Sequence, residues 1–159
     1  MPIATNSSKI DFSDEKNLSK FSLEIANIIK SGDTILLYGE LGIGKTTFVK
    51  KLINNIQKKK KIRKTEVLSP TFNIVQEYKI KSLSIQHYDL FRIEKKNDLK
   101  NIGLFEDKRC LTLIEWAEKL KTKPMNRIEL KFKYSKNYTK RYLRANFFGR
   151  LKKWDLEKK

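Results

Sequence analysis

The stretch GELGIGKT has residue types and spacing suited to binding phosphate. It begins at Gly39, contains Gly42 and Gly44, and ends with Lys45 and Thr46. Glycines let the backbone curl so that its N–H groups point at phosphate oxygens. The lysine adds a positive charge toward the outer phosphates, and the threonine hydroxyl is a ligand for magnesium. We therefore expect this loop to hold the phosphates of a bound nucleotide.

The segments on either side of the loop predict a strand and a helix. The run TILLY at 34–38 is short and apolar and follows the turn signal SGD. The run KTTFVKKLINNIQ at 45–57 has apolar residues at helical spacing, and its dipole would favour an anion at the loop. A phosphate-binding loop requires a strand before it and a helix after it. This context argues against an accidental match in a flexible turn.

Two acidic residues end apolar runs that we predict as strands. Glu115 ends LTLIE, and Asp89 ends IQHYD. Ligands of open α/β sheets gather at the carboxyl ends of the strands, and hydrolysis needs a carboxylate for magnesium and a further group to position the nucleophile. We expect both acids to be catalytic or magnesium-binding residues near Thr46, with the division of roles between them left open. The alternative is an ordinary surface acid at a strand end.

The segment SPTF at 69–72 has two interpretations. Pro70 stiffens the backbone while Ser69 and Thr71 offer hydroxyls, which suits a switch segment or any turn. From these residues alone, the turn is the simpler interpretation. His87 within a strand and Trp116 beside the second acid are likewise interpreted as structural residues that pack in the core.

The remaining pattern predicts one α/β domain with a mixed sheet, flanked by helices and containing antiparallel hairpins. Apolar spacing predicts a first helix at 14–30 with Ser13 as its N-cap. A solvated basic linker is expected at 58–64, and a short helix and turn at 97–107. The predicted strands are 34–38, 73–80, 83–91, 110–116, 127–134 and 140–148.

The composition limits the chemistry and leaves one question of partners open. A single cysteine, Cys110, and a single histidine exclude an internal disulfide and a zinc-type cluster, so any metal should be bound by oxygen. No targeting pattern opens the chain and no run approaches ~18 apolar residues, so we expect a cytoplasmic protein without membrane contact. The net charge of +18 suggests contact with RNA. An AT-rich genome would also enrich lysine, asparagine and isoleucine without any selection for binding.

Four blocks in this order resemble the TsaE (YjeE) family, which are small P-loop ATPases of bacterial tRNA threonylcarbamoyladenosine synthesis. The blocks are GELGIGKTTF, SPTFNIVQEY, HYDLFRI and LIEWAEKL. Many NTPases share the first block, whereas the second and third blocks after it are distinctive. On this resemblance we divide the chain into an N-terminal extension (1–12), a P-loop ATPase domain (13–148) and a basic C-terminal tail (149–159).

The resemblance implies a subunit that binds ATP and Mg²⁺ and hydrolyses ATP. TsaD and TsaB would be its partners, and tRNA would be reached through that complex. Threonylcarbamoyl is transferred to the adenosine beside the anticodon in tRNAs that read codons beginning with A. Thr71 corresponds to a switch near the γ-phosphate, and Asp89 and Glu115 correspond to the two acids of the family. The implied nucleotide contacts are Gly39, Gly42, Ile43, Gly44, Lys45, Thr46, Thr47 and Arg141.

Two other functions share parts of this pattern. A small-molecule kinase has a P-loop but also needs an acceptor pocket and a lid with arginines, for which only Arg92 and Arg109 lie mid-chain. A basic RNA-binding module with a structural nucleotide would show the loop and the charge without hydrolysis. Measuring ATP consumption with and without candidate acceptors separates these functions.

Overall fold

Two long helices form where apolar residues recur every three or four positions. The structure is a computed structural model that describes residues 9–154. In it, α1 spans Glu15–Ile28 and α2 spans Lys45–Lys59, and the two helices pack against each other. No helix within the described part of the chain combines the length and the apolar composition that crossing a membrane would need.

The ends of both helices differ slightly from the sequence prediction. Asp14, and not Ser13, is the N-cap of α1, because its carboxylate accepts a hydrogen bond from the backbone N–H of Lys16 at 2.9 Å. The Ser13 hydroxyl instead accepts a hydrogen bond from the backbone N–H of Arg141 at 2.9 Å. Helix α2 continues through the first two lysines of the predicted basic linker, where positive charge stabilises a helix C-terminus.

Seven strands form one mixed sheet in the spatial order β1-β7-β6-β2-β5-β4-β3. The strands are β1 (Ile10–Asp11), β2 (Thr34–Tyr38), β3 (Val75–Ile80), β4 (Leu83–Asp89), β5 (Leu111–Glu115), β6 (Arg127–Tyr134) and β7 (Arg141–Phe148). The four central strands β6, β2, β5 and β4 run parallel to one another. Both predicted antiparallel hairpins, β3–β4 and β6–β7, are present. The mixed α/β architecture predicted from the sequence is therefore confirmed.

The two faces of the sheet are covered differently. Leu37 of β2 packs in the larger apolar cluster with α1 and α2, whereas its neighbour Leu36 points to the other face. On that second face, short 3-10 helices at Lys96–Asn101 and Ala117–Lys119 and the loops around them cover β2, β5 and β4. The helices that flank the sheet thus lie on one face, and irregular segments cover part of the other.

The packed domain extends beyond both predicted boundaries. Within the predicted N-terminal extension, β1 pairs with β7, and Phe12 is completely buried in the main apolar cluster. Within the predicted tail, Gly149–Trp154 forms a 3-10 helix that buries Leu151, and Arg150 forms an ion pair with buried Asp33. The rest of both segments, 1–8 and 155–159, lies outside the described residues.

Candidate functional site

The glycine loop between β2 and α2 adopts a backbone that glycine alone accepts easily. Gly39, Gly42 and Gly44 have φ angles of 146°, 77° and 124°. A Cβ atom on Gly39 would lie 2.9 Å from the carbonyl oxygen of Phe132, so the loop packs too closely for a side chain there. Gly44 is the N-cap of α2 and supplies no side-chain cap. The first N–H groups of the helix are therefore available to an anion.

Lys45 folds back over this loop. Its ammonium donates hydrogen bonds to the carbonyl oxygens of Gly39 and Glu40, the second at 2.9 Å, and lies 4.1 Å from the ring centroid of Trp116. The residue is only 4% exposed, and this burial lowers the pKa of the lysine. Trp116 has a left-handed backbone with φ of 60°, which is uncommon for a large side chain and marks the end of β5 as a constrained position.

The two acids predicted at strand ends lie side by side. Parallel strands β4 and β5 pair with Asp89 in register with Glu115, at the edge of the sheet from which the glycine loop emerges. The hydroxyl of Thr46 donates to both carboxylate oxygens of Glu115, at 2.8 and 2.9 Å. Both acids are buried, so the alternative of ordinary surface acids is wrong.

His87 is a contact of this site that sequence reasoning did not assign to it. Its Nε2 atom lies 2.8 Å from Oε1 of Glu115, and the whole residue is buried. Within residues 9–154, its Nδ1 atom has no hydrogen-bond partner. The strand pattern did indicate that His87 lies on the same face of β4 as Asp89, because the two residues are two positions apart and side chains two apart share a face of a strand. The partner strand could not be identified from the sequence.

The SPTF segment joins the site through Asp89. The Oδ2 atom of Asp89 accepts hydrogen bonds from the hydroxyls of Ser69 and Thr71, each at 3.1 Å, and those two hydroxyls are 2.7 Å apart. The Oδ1 atom of Asp89 accepts a hydrogen bond from the backbone N–H of Phe91 at 2.9 Å. The segment is therefore more than a turn, because its hydroxyls are held against a carboxylate beside the glycine loop.

Eight of the predicted site residues line one small pocket of about 150 Å³, which we call the phosphate pocket. They are Gly42, Gly44, Lys45, Thr46, Thr47, Thr71, Asp89 and Glu115. Small-molecule sites usually measure ~300–1,000 Å³, so this pocket has room for phosphate groups and leaves a base and a ribose at its rim. Within residues 9–154, no cluster of three His, Cys, Asp or Glu side chains exists that could hold a metal alone. A cation here would need hydroxyl and ligand oxygens besides the two carboxylates.

The other three predicted contacts do not line the pocket. Gly39 begins the loop and packs against the backbone of Phe132, and the side chain of Ile43 is completely buried in the core. Arg141 begins β7, where its guanidinium stacks 5.1 Å from the ring of Phe12 and Nη1 lies 3.5 Å from the carbonyl oxygen of Ile43. It supports the loop from behind, and the same Nη1 atom is 3.9 Å from the point where a Cβ of Gly44 would lie.

Comparison with known proteins identifies the family. A family model described as "Threonylcarbamoyl adenosine biosynthesis protein TsaE" matches residues 12–143, which is most of the chain. The chain belongs to the TsaE family. The matched region contains the glycine loop, the SPTF segment, both strand-end acids and Arg141, so the whole site lies within the TsaE homology.

Individual relatives and one solved structure agree with this assignment. A protein of Rickettsia typhi named tRNA threonylcarbamoyladenosine biosynthesis protein TsaE is 37% identical over 121 residues, covering 74% of this chain and 81% of the relative. Proteins of the same name from Aquifex aeolicus and Nostoc are 35% and 31% identical, over 66% and 79% of this chain and 73% and 78% of the relatives. The crystal structure of Bacillus subtilis YdiB superposes with a TM-score of 0.66 at 25% identity, covering 94% of this chain and 92% of that chain.

Proposed function

We propose that this TsaE protein is a magnesium-dependent ATPase subunit in threonylcarbamoyl modification of tRNA. The observation that carries the proposal is the contact between the Thr46 hydroxyl and Glu115 at the N-terminus of α2, where a phosphate-bound magnesium ion would be held. The relatives' names supply the pathway, and the modified nucleoside is the adenosine beside the anticodon in tRNAs reading codons that begin with A. TsaD and TsaB are the proposed partners, and the cytoplasm is the compartment that this role requires.

The loop and Lys45 are proposed to bind the phosphates of ATP. Gly42, Gly44, Lys45, Thr46 and Thr47 line the pocket, and the start of α2 adds the positive end of its dipole. The ammonium of Lys45 now donates to two backbone carbonyls, and phosphate oxygens are stronger acceptors because they are charged. Burial lowers the pKa of the lysine, and a phosphate beside it would favour the protonated form.

The structure supports different roles for the two acids. Glu115 contacts Thr46, and both offer the hard oxygen ligands that magnesium prefers, so we propose them as the magnesium-binding pair. Asp89 contacts Thr71 and Ser69, so we propose that it binds magnesium through water and positions the attacking water with Thr71. When bound, magnesium would neutralise charge on the phosphates. His87 restrains the Glu115 carboxylate from the other side.

The kinase alternative has less support. Arg109 precedes β5, at the end of the strand opposite Glu115, and pairs with Asp107 on the surface. Arg92 is exposed and lies 5.2 Å from the ring of Phe72. A lid requires arginines over the phosphates, and Arg109 is placed at the wrong edge of the sheet for this.

ATP consumption by the purified protein tests the proposal against both alternatives. We expect slow hydrolysis by the protein alone, faster hydrolysis with TsaD and TsaB, and no phosphorylated product with small-molecule acceptors. Acceptor-dependent ATP consumption would favour a kinase. Tight ATP binding without hydrolysis in the presence of the partners would favour the structural nucleotide of an RNA-binding module.

A further inference from the structure

Three of the seven strands have an uncovered face. Helices α1 and α2 pack on one side, and the segments that cover the other side lie over β2, β5 and β4. In β7, the alternate residues Leu143, Ala145 and Phe147 are buried on the helix side, whereas Arg144 is exposed on the other. The faces of β1, β6 and β7 that point away from the helices therefore form a surface of their own, which we call the open sheet face.

The open sheet face concentrates positive charge. Lys131 of β6 is directly opposite Arg144 of β7, and Lys133 is opposite Tyr142. Like charges in directly opposed positions destabilise a sheet, so this arrangement does not serve the fold. The ammonium of Lys9 lies 5.5 Å from the ring centroid of Tyr142 on the same face. Within the described chain, none of these four basic side chains forms an ion pair.

Two acids lie near this face, and within the described chain neither forms an ion pair with its four exposed basic side chains. Glu129 is buried beneath it and accepts hydrogen bonds from Arg127 at 2.8 Å and Lys123 at 3.0 Å. Asp11 accepts a hydrogen bond from the backbone N–H of Ser13 at 2.9 Å, which lowers the pKa of this carboxyl and keeps it ionised. It therefore contributes one negative charge opposite Tyr142, against four positive charges on the same face. The exposed lysines and the arginine therefore remain available to an external anion.

The charged residues enclose a groove of suitable size. An open groove of about 640 Å³ runs along β6 and β7, lined by Lys9, Lys131, Lys133, Tyr142, Arg144 and Asn146. This combination of repeated positive charges, an aromatic ring and an amide is suited to RNA. The phosphates of RNA repeat along the strand and would contact the charges, and its unpaired bases stack on aromatic rings. An acidic protein surface would satisfy the charges but would not require the aromatic ring.

We infer that the open sheet face binds the sugar-phosphate backbone of RNA, with an unpaired base against Tyr142. The direct opposition of Lys131 and Arg144 and the groove around Tyr142 carry this inference beyond the net charge of +18, because genomic base composition enriches lysine without arranging like charges across two strands. The site is separate from the phosphate pocket, so its occupation does not depend on ATP hydrolysis.

Salt-dependent binding of labelled, unfractionated tRNA, measured by fluorescence anisotropy, tests the inference. The test variant is Lys131→Gln, Lys133→Gln and Arg144→Gln together. The matched control, Lys58→Gln, Lys59→Gln and Lys60→Gln, removes the same charge from exposed lysines at the end of α2. We expect the test variant to bind tRNA at least about tenfold more weakly and to lower the log–log salt slope by about 2–3, while the control changes both much less.

A second variant, Tyr142→Leu, keeps the charge and removes the ring. We expect it to weaken tRNA binding about fivefold without changing the salt slope, because stacking releases no counterions. Equal losses in the two triple variants, or no measurable tRNA binding by the parent, would overturn the inference. Loss of TsaD–TsaB affinity with intact tRNA affinity would assign the face to an acidic protein instead.

ATP turnover, measured in parallel, keeps this inference distinct from the proposed ATPase. Both triple variants should retain the parental rate, because none of the substituted residues lines the phosphate pocket. A parent that binds tRNA through this face and hydrolyses no ATP would refute the ATPase alone.

Discussion

Glu115 has the most informative contacts of any single residue in the site. It accepts hydrogen bonds from Thr46 and lies 2.8 Å from His87, so two elements besides its own strand hold one carboxylate. The positions of Glu115 and Asp89 at one edge of the sheet could be predicted, because parallel strands end at a common edge. The contact with His87 could not be predicted, because the register between β4 and β5 has no signal in the sequence.

Removing the charge of either acid should reduce hydrolysis more than nucleotide binding. We expect Glu115→Gln and Asp89→Asn each to lower the rate constant for ATP hydrolysis at least about tenfold, because both are proposed to act on the magnesium ion and the attacking water. The dissociation constant for ATP should change less. Single-turnover hydrolysis and ATP titration measure the two quantities, and Glu94→Gln, which changes an exposed acid, is the control. Parental rates in both acid variants would show that these assignments are wrong.

Among the elements, the SPTF segment connects the phosphate pocket to the surface. Thr71 contacts Asp89 inside the pocket, whereas Phe72 at the end of the segment is 84% exposed and Leu68 just before it is 63% exposed. A shift of the hydroxyls toward a γ-phosphate would therefore move two apolar side chains that a partner protein could contact. The sequence alone left a turn and a switch open here, because the hydrogen bonds to Asp89 that distinguish them exist only in the folded chain.

The segment should make partner affinity depend on the nucleotide. We expect the protein to bind the TsaD–TsaB pair more tightly with a non-hydrolysable ATP analogue than with ADP, because only the former presents a γ-phosphate to the segment. Thr71→Ala should shrink that difference while leaving ADP affinity nearly unchanged. Titration calorimetry measures both effects. The control is Thr139→Ala, which changes an exposed threonine of the β6–β7 turn. Equal dissociation constants for both nucleotides in the parent would remove the proposed switch.

Across the whole molecule, the helices and strands could be predicted from the sequence better than the way in which they pack and pair. Strand β2 and strand β6 begin and end where the patterns placed them, since alternation and turn residues are local signals. Strand β1 was missed because two residues show no periodicity and pair with β7 only in the folded chain. The buried position of Leu151 was missed for the same reason, because its contacts come from distant elements.

Glu129 should make the stability of the whole domain depend on pH. Burial alone would raise its pKa, but hydrogen bonds from Arg127 and Lys123 outweigh it and lower the pKa below 4.5. The ionised group therefore stabilises the fold above pH 4.5, and this stabilisation is lost as pH falls through the lower folded pKa. Urea unfolding should show Glu129→Gln less stable than the parent near neutral pH, with the difference shrinking in acid. The control is Glu66→Gln, which changes an exposed acid. If the difference in unfolding free energy between Glu129→Gln and the parent were the same at all pH values, the prediction would be wrong.

The proposed ATPase activity is tested best by ATP hydrolysis in the presence of TsaD and TsaB, with Lys45→Ala compared with Lys50→Ala on the exposed side of the same helix. Circular dichroism establishes that each variant is folded. We expect the parent and Lys50→Ala to hydrolyse ATP only with Mg²⁺, and Lys45→Ala to retain about a hundredth of the rate or less. A folded Lys45→Ala protein that hydrolyses ATP at the parental rate, or a parent that is equally active after magnesium is chelated, would contradict the proposal.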